Sequence, residues 1–193
     1  MRFEALLRAI AACAAVAFVS AGALAGDLKS GLQPGDDVGA FQVEKVAGAV
    51  NDFIEPGRTL CYRCLLGSRP VVMVFARKVD PGLVALVKRL DRAVVDEADH
   101  RLAAVVNLIG RNPEELKKAG AELAKKHELE NVAFVVPQDN ENGPSEFNIS
   151  PDAETTLMLY RRGKVAANFA VPPGKLDEAT IRAIVDAVEK MLK

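Results

Sequence analysis

The chain has 193 residues, with 25 Lys and Arg against 26 Asp and Glu, and a formal net charge of −1. Its length suits one domain with a sizeable core. The near-neutral balance, without a basic run, leaves no electrostatic footing for nucleic acid.

The opening carries Arg2 and Arg8, then an apolar stretch from Ala9 to Val19, then the small-residue triplet Ala23-Leu24-Ala25 before Gly26. This is the layout of a secretory signal peptide. The stretch is short and Ala-rich for a membrane span, so the expected contact with a membrane is only through this segment if it stays uncleaved. Cys13 would leave with it, and its surroundings do not resemble a lipidation site. The expected organisation is a signal peptide over 1–25, a lead-in over 26–40 and one exported domain over 41–193. That leaves two cysteines, Cys61 and Cys64.

Phe41 to Val46 alternates apolar and polar residues and reads as a half-buried strand. Residues 47–58 read as a loop, with Gly48, Asn51, Asp52, Pro56 and Gly57. The cysteine pair follows, in Thr59-Leu60-Cys61-Tyr62-Arg63-Cys64, directly ahead of the run Val71 to Ala76. That run is continuous and rich in β-branched residues, as in a strand covered on both faces at the centre of a parallel sheet.

Asp80 and Pro81 then supply an N-cap and an N1 proline. Leu83, Val84, Leu86, Val87, Leu90, Val94 and Val95 recur at helical spacing. Leu102 to Ile109 is a second buried strand, and Asn112-Pro113 repeats the cap signal before a helix carrying Leu116, Ala119, Leu123 and Ala124. Val132 to Val136 makes a short strand, followed by an irregular stretch. Thr155 to Tyr160 then turns through Arg161-Arg162-Gly163-Lys164 into Val165 to Val171 as a hairpin. A last helix has Leu176, Ile181, Ile184, Val185, Val188 and Leu192 on one side. Two strand-helix units, a hairpin and a terminal helix predict an α/β chain, a three-layer α/β/α sandwich.

Four stretches resemble the redoxin or peroxiredoxin-like (AhpC/TSA-type) branch of the thioredoxin superfamily. Leu32 to Phe41 is similar to its G-D-x-x-P-x-F lead-in, and Gly67-Ser68-Arg69-Pro70 entering Val71 to Phe75 is similar to its G-K-P-V-V-L-x-F strand. Phe134 to Asp139 is similar to its strand ending in Asp, and Thr155 to Val165 to its T-x-x-x-I-x-x-x-G-x-V hairpin. The resemblance covers residues 32–192 and implies a thioredoxin-like fold with an N-terminal β extension.

The resemblance also implies a nucleophilic cysteine at the start of the helix after the central strand, where the helix dipole favours thiolate. Here Ala76-Arg77-Lys78-Val79-Asp80-Pro81 holds none, and the P-x-x-x-T-x-x-C pattern is missing. Peroxide reduction by the family mechanism is therefore not expected. The proline that thioredoxins hold opposite their disulfide would align near Thr155, and Pro151 falls four residues too early.

Cys61 and Cys64 leave three readings open. They could form a structural disulfide favoured by export, a redox-active pair exposed beside Tyr62, or half of a metal site, Zn²⁺ shared across a dimer or Cu(I) on soft thiolates. No metal or cofactor is expected from the remaining sequence, since His100 and His127 stand alone near helix ends. The preferred expectation is an exported thiol-disulfide oxidoreductase with Cys61 and Cys64 as both catalytic and disulfide residues. Its partners would be exported thiol proteins or a membrane-linked reductant. Cys61 would attack, as the more exposed first cysteine of the motif, and Cys64 would resolve. Arg58, Arg63 and Arg69 would supply positive charge. Arg77 and Lys78 could hold an anion. The competing expectation is a non-catalytic binding or scaffold domain that keeps the pair as a staple.

Overall fold

The computed structural model describes residues 28–193. The expected signal peptide and Cys13 lie outside the described residues.

One sheet of seven strands organises the chain: β1 (Val43–Ala47), β2 (Thr59–Leu60), β3 (Val71–Ala76), β4 (Ala103–Leu108), β5 (Ala133–Pro137), β6 (Thr155–Arg161) and β7 (Lys164–Val171), in the spatial order β2-β1-β5-β4-β3-β6-β7. Strands β3, β4 and β5 are parallel; β6 runs antiparallel to β3, and β7 antiparallel to β6. Every residue of β3 is buried, because β4 and β6 close its two edges and side chains cover both its faces. The β extension is formed by β1, antiparallel to β5, and by β2 on the outer edge of β1.

Among the described residues four α-helices complete the fold: α1 (Tyr62–Leu66), α2 (Pro81–Asp96), α3 (Pro113–His127) and α4 (Glu178–Leu192). The cap signals act as the sequence predicts. The Asp80 carboxylate accepts the Leu83 N–H at 2.8 Å at the start of α2, and the Asn112 side chain accepts the N–H groups of Glu114 and Glu115 at the start of α3. Steps from β3 to β4 to β5 advance in one direction across the sheet, so their right-handed crossovers place α2 and α3 on the same face. There Leu83, Leu86, Val87 and Leu90 of α2 share one core with Leu123 of α3 and Ile181, Ile184 and Val188 of α4. Val95, expected on the apolar side of α2, is exposed instead. It lies one helical step of about 100° beyond Val94, past the edge of the buried stripe.

The opposite face has a thinner cover. Val38 and Phe41 from the lead-in, Tyr62 and Leu66 from α1, and Phe147 from the 3₁₀ turn Ser145–Phe147 pack on it. The rings of Phe41 and Phe147 lie 4.9 Å apart edge to face. The three layers are thus unequal: three long helices on one side, loops and one short helix on the other. Among the described residues no helix is long and apolar enough to cross a membrane.

Candidate functional site

Neither β2 nor α1 is legible from periodicity, yet together they define the cysteine pair. Leu60 pairs with Val43, Cys61 is extended, and the chain then coils into the single turn of α1. Cys61 and Cys64 are joined by a disulfide with Cα atoms 5.2 Å apart, and Cys61 Sγ accepts the Cys64 N–H at 3.0 Å. The order strand, cysteine pair, helix is therefore present in miniature, ahead of the central strand. Exposure is the reverse of the expected one: Cys64 is exposed and Cys61 only half-exposed. The cause is the cap, which turns the Cys61 sulfur back over its own turn while Cys64 takes the outer side.

Tyr62, beside the pair, is buried. Its hydroxyl donates to the Asp52 carboxylate, whose other oxygen accepts from Lys45 Nζ at 2.6 Å. Lys45 is only 2% exposed and also donates to the Ala49 carbonyl at 3.2 Å. A buried lysine is tolerated because a carboxylate and a carbonyl meet it. Burial, reinforced by Asp52, pushes the Tyr62 phenol far above its usual range, so it remains a donor. The segment held in this way places Ala49 and Phe53 in the left-handed region, at φ 41° and 60°, uncommon for residues other than glycine. Sequence reading missed Lys45 and Asp52. The available signal was strand parity, since Lys45 shares a side with Phe41 and Val43.

Arg63 and Arg69 do not project charge freely at the sulfurs. Arg63 donates to the carbonyls of Val38 at 3.1 Å and Gly67 at 3.2 Å, and lies over the Tyr160 ring. It fits because Gly163, at φ 78° in the hairpin turn, has no Cβ to collide with the guanidinium. Arg69 donates to the carbonyls of Arg101 at 2.8 Å and Leu102 at 3.3 Å. Arg58 is exposed. These contacts fix α1 at the N-terminal end of β3, beside the start of β4 and the turn between β6 and β7.

The other end of β3 is filled by structural bonds. Arg77, considered for an anion, donates to the carbonyls of Ala153 at 3.1 Å, Glu141 at 3.1 Å and Ser150 at 3.2 Å. That correction has a simple cause: its guanidinium pins the irregular segment between β5 and β6. Lys78 is exposed. The residue before β6 is Glu154, whose carbonyl accepts the Arg77 N–H at 3.0 Å. His100 pairs with Glu97 at 2.8 Å on the surface, and His127 ends α3, its pKa held down by burial and by Lys88 and Lys126. Among the described residues no three of His, Cys, Asp or Glu converge as metal ligands would.

No family model matches the sequence, and no curated protein does. Solved structures do match. AhpC of Mycobacterium tuberculosis is 15% identical with a TM-score of 0.59, over 84% of this chain and 99% of that one. A structure described as the thiol:disulfide interchange protein DsbE of Chlorobium tepidum is 14% identical with a TM-score of 0.57, over 81% and 99%. An uncharacterized thioredoxin-like protein of Porphyromonas gingivalis is 14% identical with a TM-score of 0.57, over 80% and 91%. At these identities the likeness is one of fold. The chain has a thioredoxin-like fold of redoxin type, with the Cys61–Cys64 disulfide on a turn ahead of its central strand.

Proposed function

We propose that this protein is an exported thiol-disulfide exchange protein working through Cys61 and Cys64. The observation that carries the reading is that the sulfurs stand at the surface on a turn that other groups already anchor. Closing so short a ring constrains the unfolded chain by only about 2 kcal/mol in the loop-entropy picture. Burial of Tyr62 and Leu66 contributes roughly 1.5–3 kcal/mol each, before the Asp52 and Arg63 bonds are counted. A staple here would add little, which favours chemistry over the scaffold reading.

In the exchange, a partner thiolate attacks one sulfur, the Cys61–Cys64 bond breaks, and a mixed disulfide forms while the released cysteine takes up a proton. A second partner thiol then attacks the mixed disulfide. The partner leaves oxidised, and this protein gains two electrons and two protons. The hydrogen bond from the Cys64 N–H would stabilise a thiolate at Cys61, which keeps Cys61 as the reactive thiol on grounds other than exposure. The layout of residues 2–25 supports export, where exported thiol proteins or a membrane-linked reductant would be the partners. The test is an insulin-type disulfide exchange assay on the mature protein and on Cys61→Ser and Cys64→Ser. Activity in the parent, falling to background in both variants, supports exchange; an inert parent rejects it.

A further inference from the structure

Residues of α2 and α3 line an open groove of about 700 Å³ between the two helices. Its apolar part is Val79, Pro81, Val84, Ala85, Ala119 and Leu123. Val79 is 37% exposed, Val84, Ala85 and Ala119 are half-buried, and Leu123 is buried beneath them. On α2 these residues precede Lys88, and on α3 they precede Lys126 and His127, which also line the groove. Both helices belong to parallel strand-helix-strand units and run the same way, so the three basic groups share one end. An apolar lining with a few polar groups at one place is the usual make-up of a small-molecule site, and the volume falls within the usual range.

The basic end is not balanced from within. Among the described residues neither Lys88 nor Lys126 joins an ion pair, whereas Lys117, on the same helix as Lys126, meets both Glu44 and Glu114. The acidic groups of the groove are engaged elsewhere: Asp80 accepts the Leu83 N–H at 2.8 Å, and Glu122 lies 4.0 Å from Lys118. Burial, then Lys88 and Lys126, hold the His127 pKa below its ordinary value. The C-terminal dipole of α3 accounts for cations at Lys126 and His127. It does not account for Lys88, which lies in the middle of α2.

We propose that this groove binds an aliphatic carboxylate, its chain along the apolar part and its head among Lys88, Lys126 and His127. Charge complementarity selects the head, and the exposed apolar lining selects the chain. Seven residues at about 1.5 Å each put Lys88 about 10 Å along α2 from Pro81, roughly the extended length of an eight-carbon acid. The site shares no residue with the cysteine turn and does not depend on the exchange reading.

The test is an NMR titration of the full mature protein with octanoate, followed at the two histidine rings. Octanoate is expected to shift the His127 signals saturably and to raise its pKa, because a carboxylate beside the ring favours the imidazolium. The other charged groups near the ring, Asp91, Arg92 and Asp96 of α2, Glu122 of α3 and Glu128 beyond it, are the same with and without ligand. His100, paired with Glu97 at 2.8 Å, should not move. Acetate, a head without a chain, and octylamine, a chain with the opposite head, should leave His127 unchanged at the same concentration. Lys88→Gln and Lys126→Gln alter exposed side chains and should each weaken octanoate binding about tenfold. Ala119→Glu, which puts a carboxylate in the path of the chain, should abolish it. No saturable shift with octanoate, a shift that acetate reproduces, or binding that survives both lysine substitutions would overturn the site.

Discussion

At the C-terminal end of β3, Arg77 and Asp80 are engaged in holding the backbone, whereas at its N-terminal end a disulfide stands at the surface on a single helical turn. Among the described residues the first end has the favourable field of a long helix and no cysteine; the second has the cysteine pair and only a five-residue helix. What takes the place of the long helix is a local bond from the Cys64 N–H and an anchor running through Tyr62, Asp52 and Lys45. The comparison teaches that this architecture can carry a surface disulfide a strand's length from the start of its long helix. It also predicts how the two ends should differ under substitution.

The largest stability effect should come from Tyr62→Ala. Losing a buried aromatic side chain costs about 3–5 kcal/mol, more than Cys64→Ser, which removes a short ring worth about 2 kcal/mol. Denaturant unfolding of both variants checks the order; the reverse order would make the disulfide the true anchor of the turn. Next comes Arg77→Ala, which leaves three carbonyls without their charged donor and should destabilise by about 2–3 kcal/mol without changing the exchange rate. If exchange disappears while the fold persists, the C-terminal end of β3 takes part in the chemistry and the contrast between the ends fails.

A smaller effect concerns alkaline pH. Burial and Asp52 keep Tyr62 protonated in the folded chain, while an unfolded tyrosine ionises near pH 10. The folded state therefore holds more protons above that pH, and its stability is complete below about pH 10 and declines above it. Burial raises Tyr160 in the same direction, so Tyr62→Phe should flatten only part of the decline. Unfolding midpoints measured between pH 8 and 11 decide this; an unchanged slope in Tyr62→Phe would mean that the phenol is not held as described.

The large elements were legible because their signals are local and repeated. The continuous apolar run of β3 and the Asp80-Pro81 and Asn112-Pro113 caps needed no knowledge of distant partners, and the Arg162-Gly163 turn announced the β6–β7 hairpin. The site was less legible. A two-residue strand and a five-residue helix are too short to display a period. The burial of Tyr62 depends on Asp52, ten positions earlier, and on Lys45, whose inward place requires β5 as a neighbour. The exposure of Cys64 over Cys61 follows from a cap that composition does not encode. Arg77 looked available for an anion until the backbone of residues 141–153 came back over it.

The most direct test of the account is an equilibrium titration of the Cys61–Cys64 pair in glutathione redox buffers, with opening read by thiol alkylation. An accessible pair on an independently held turn should open and close reversibly, with a midpoint potential above about −300 mV. A pair that stays closed throughout that range, in a chain that exchanges with no thiol, would contradict it and leave a staple.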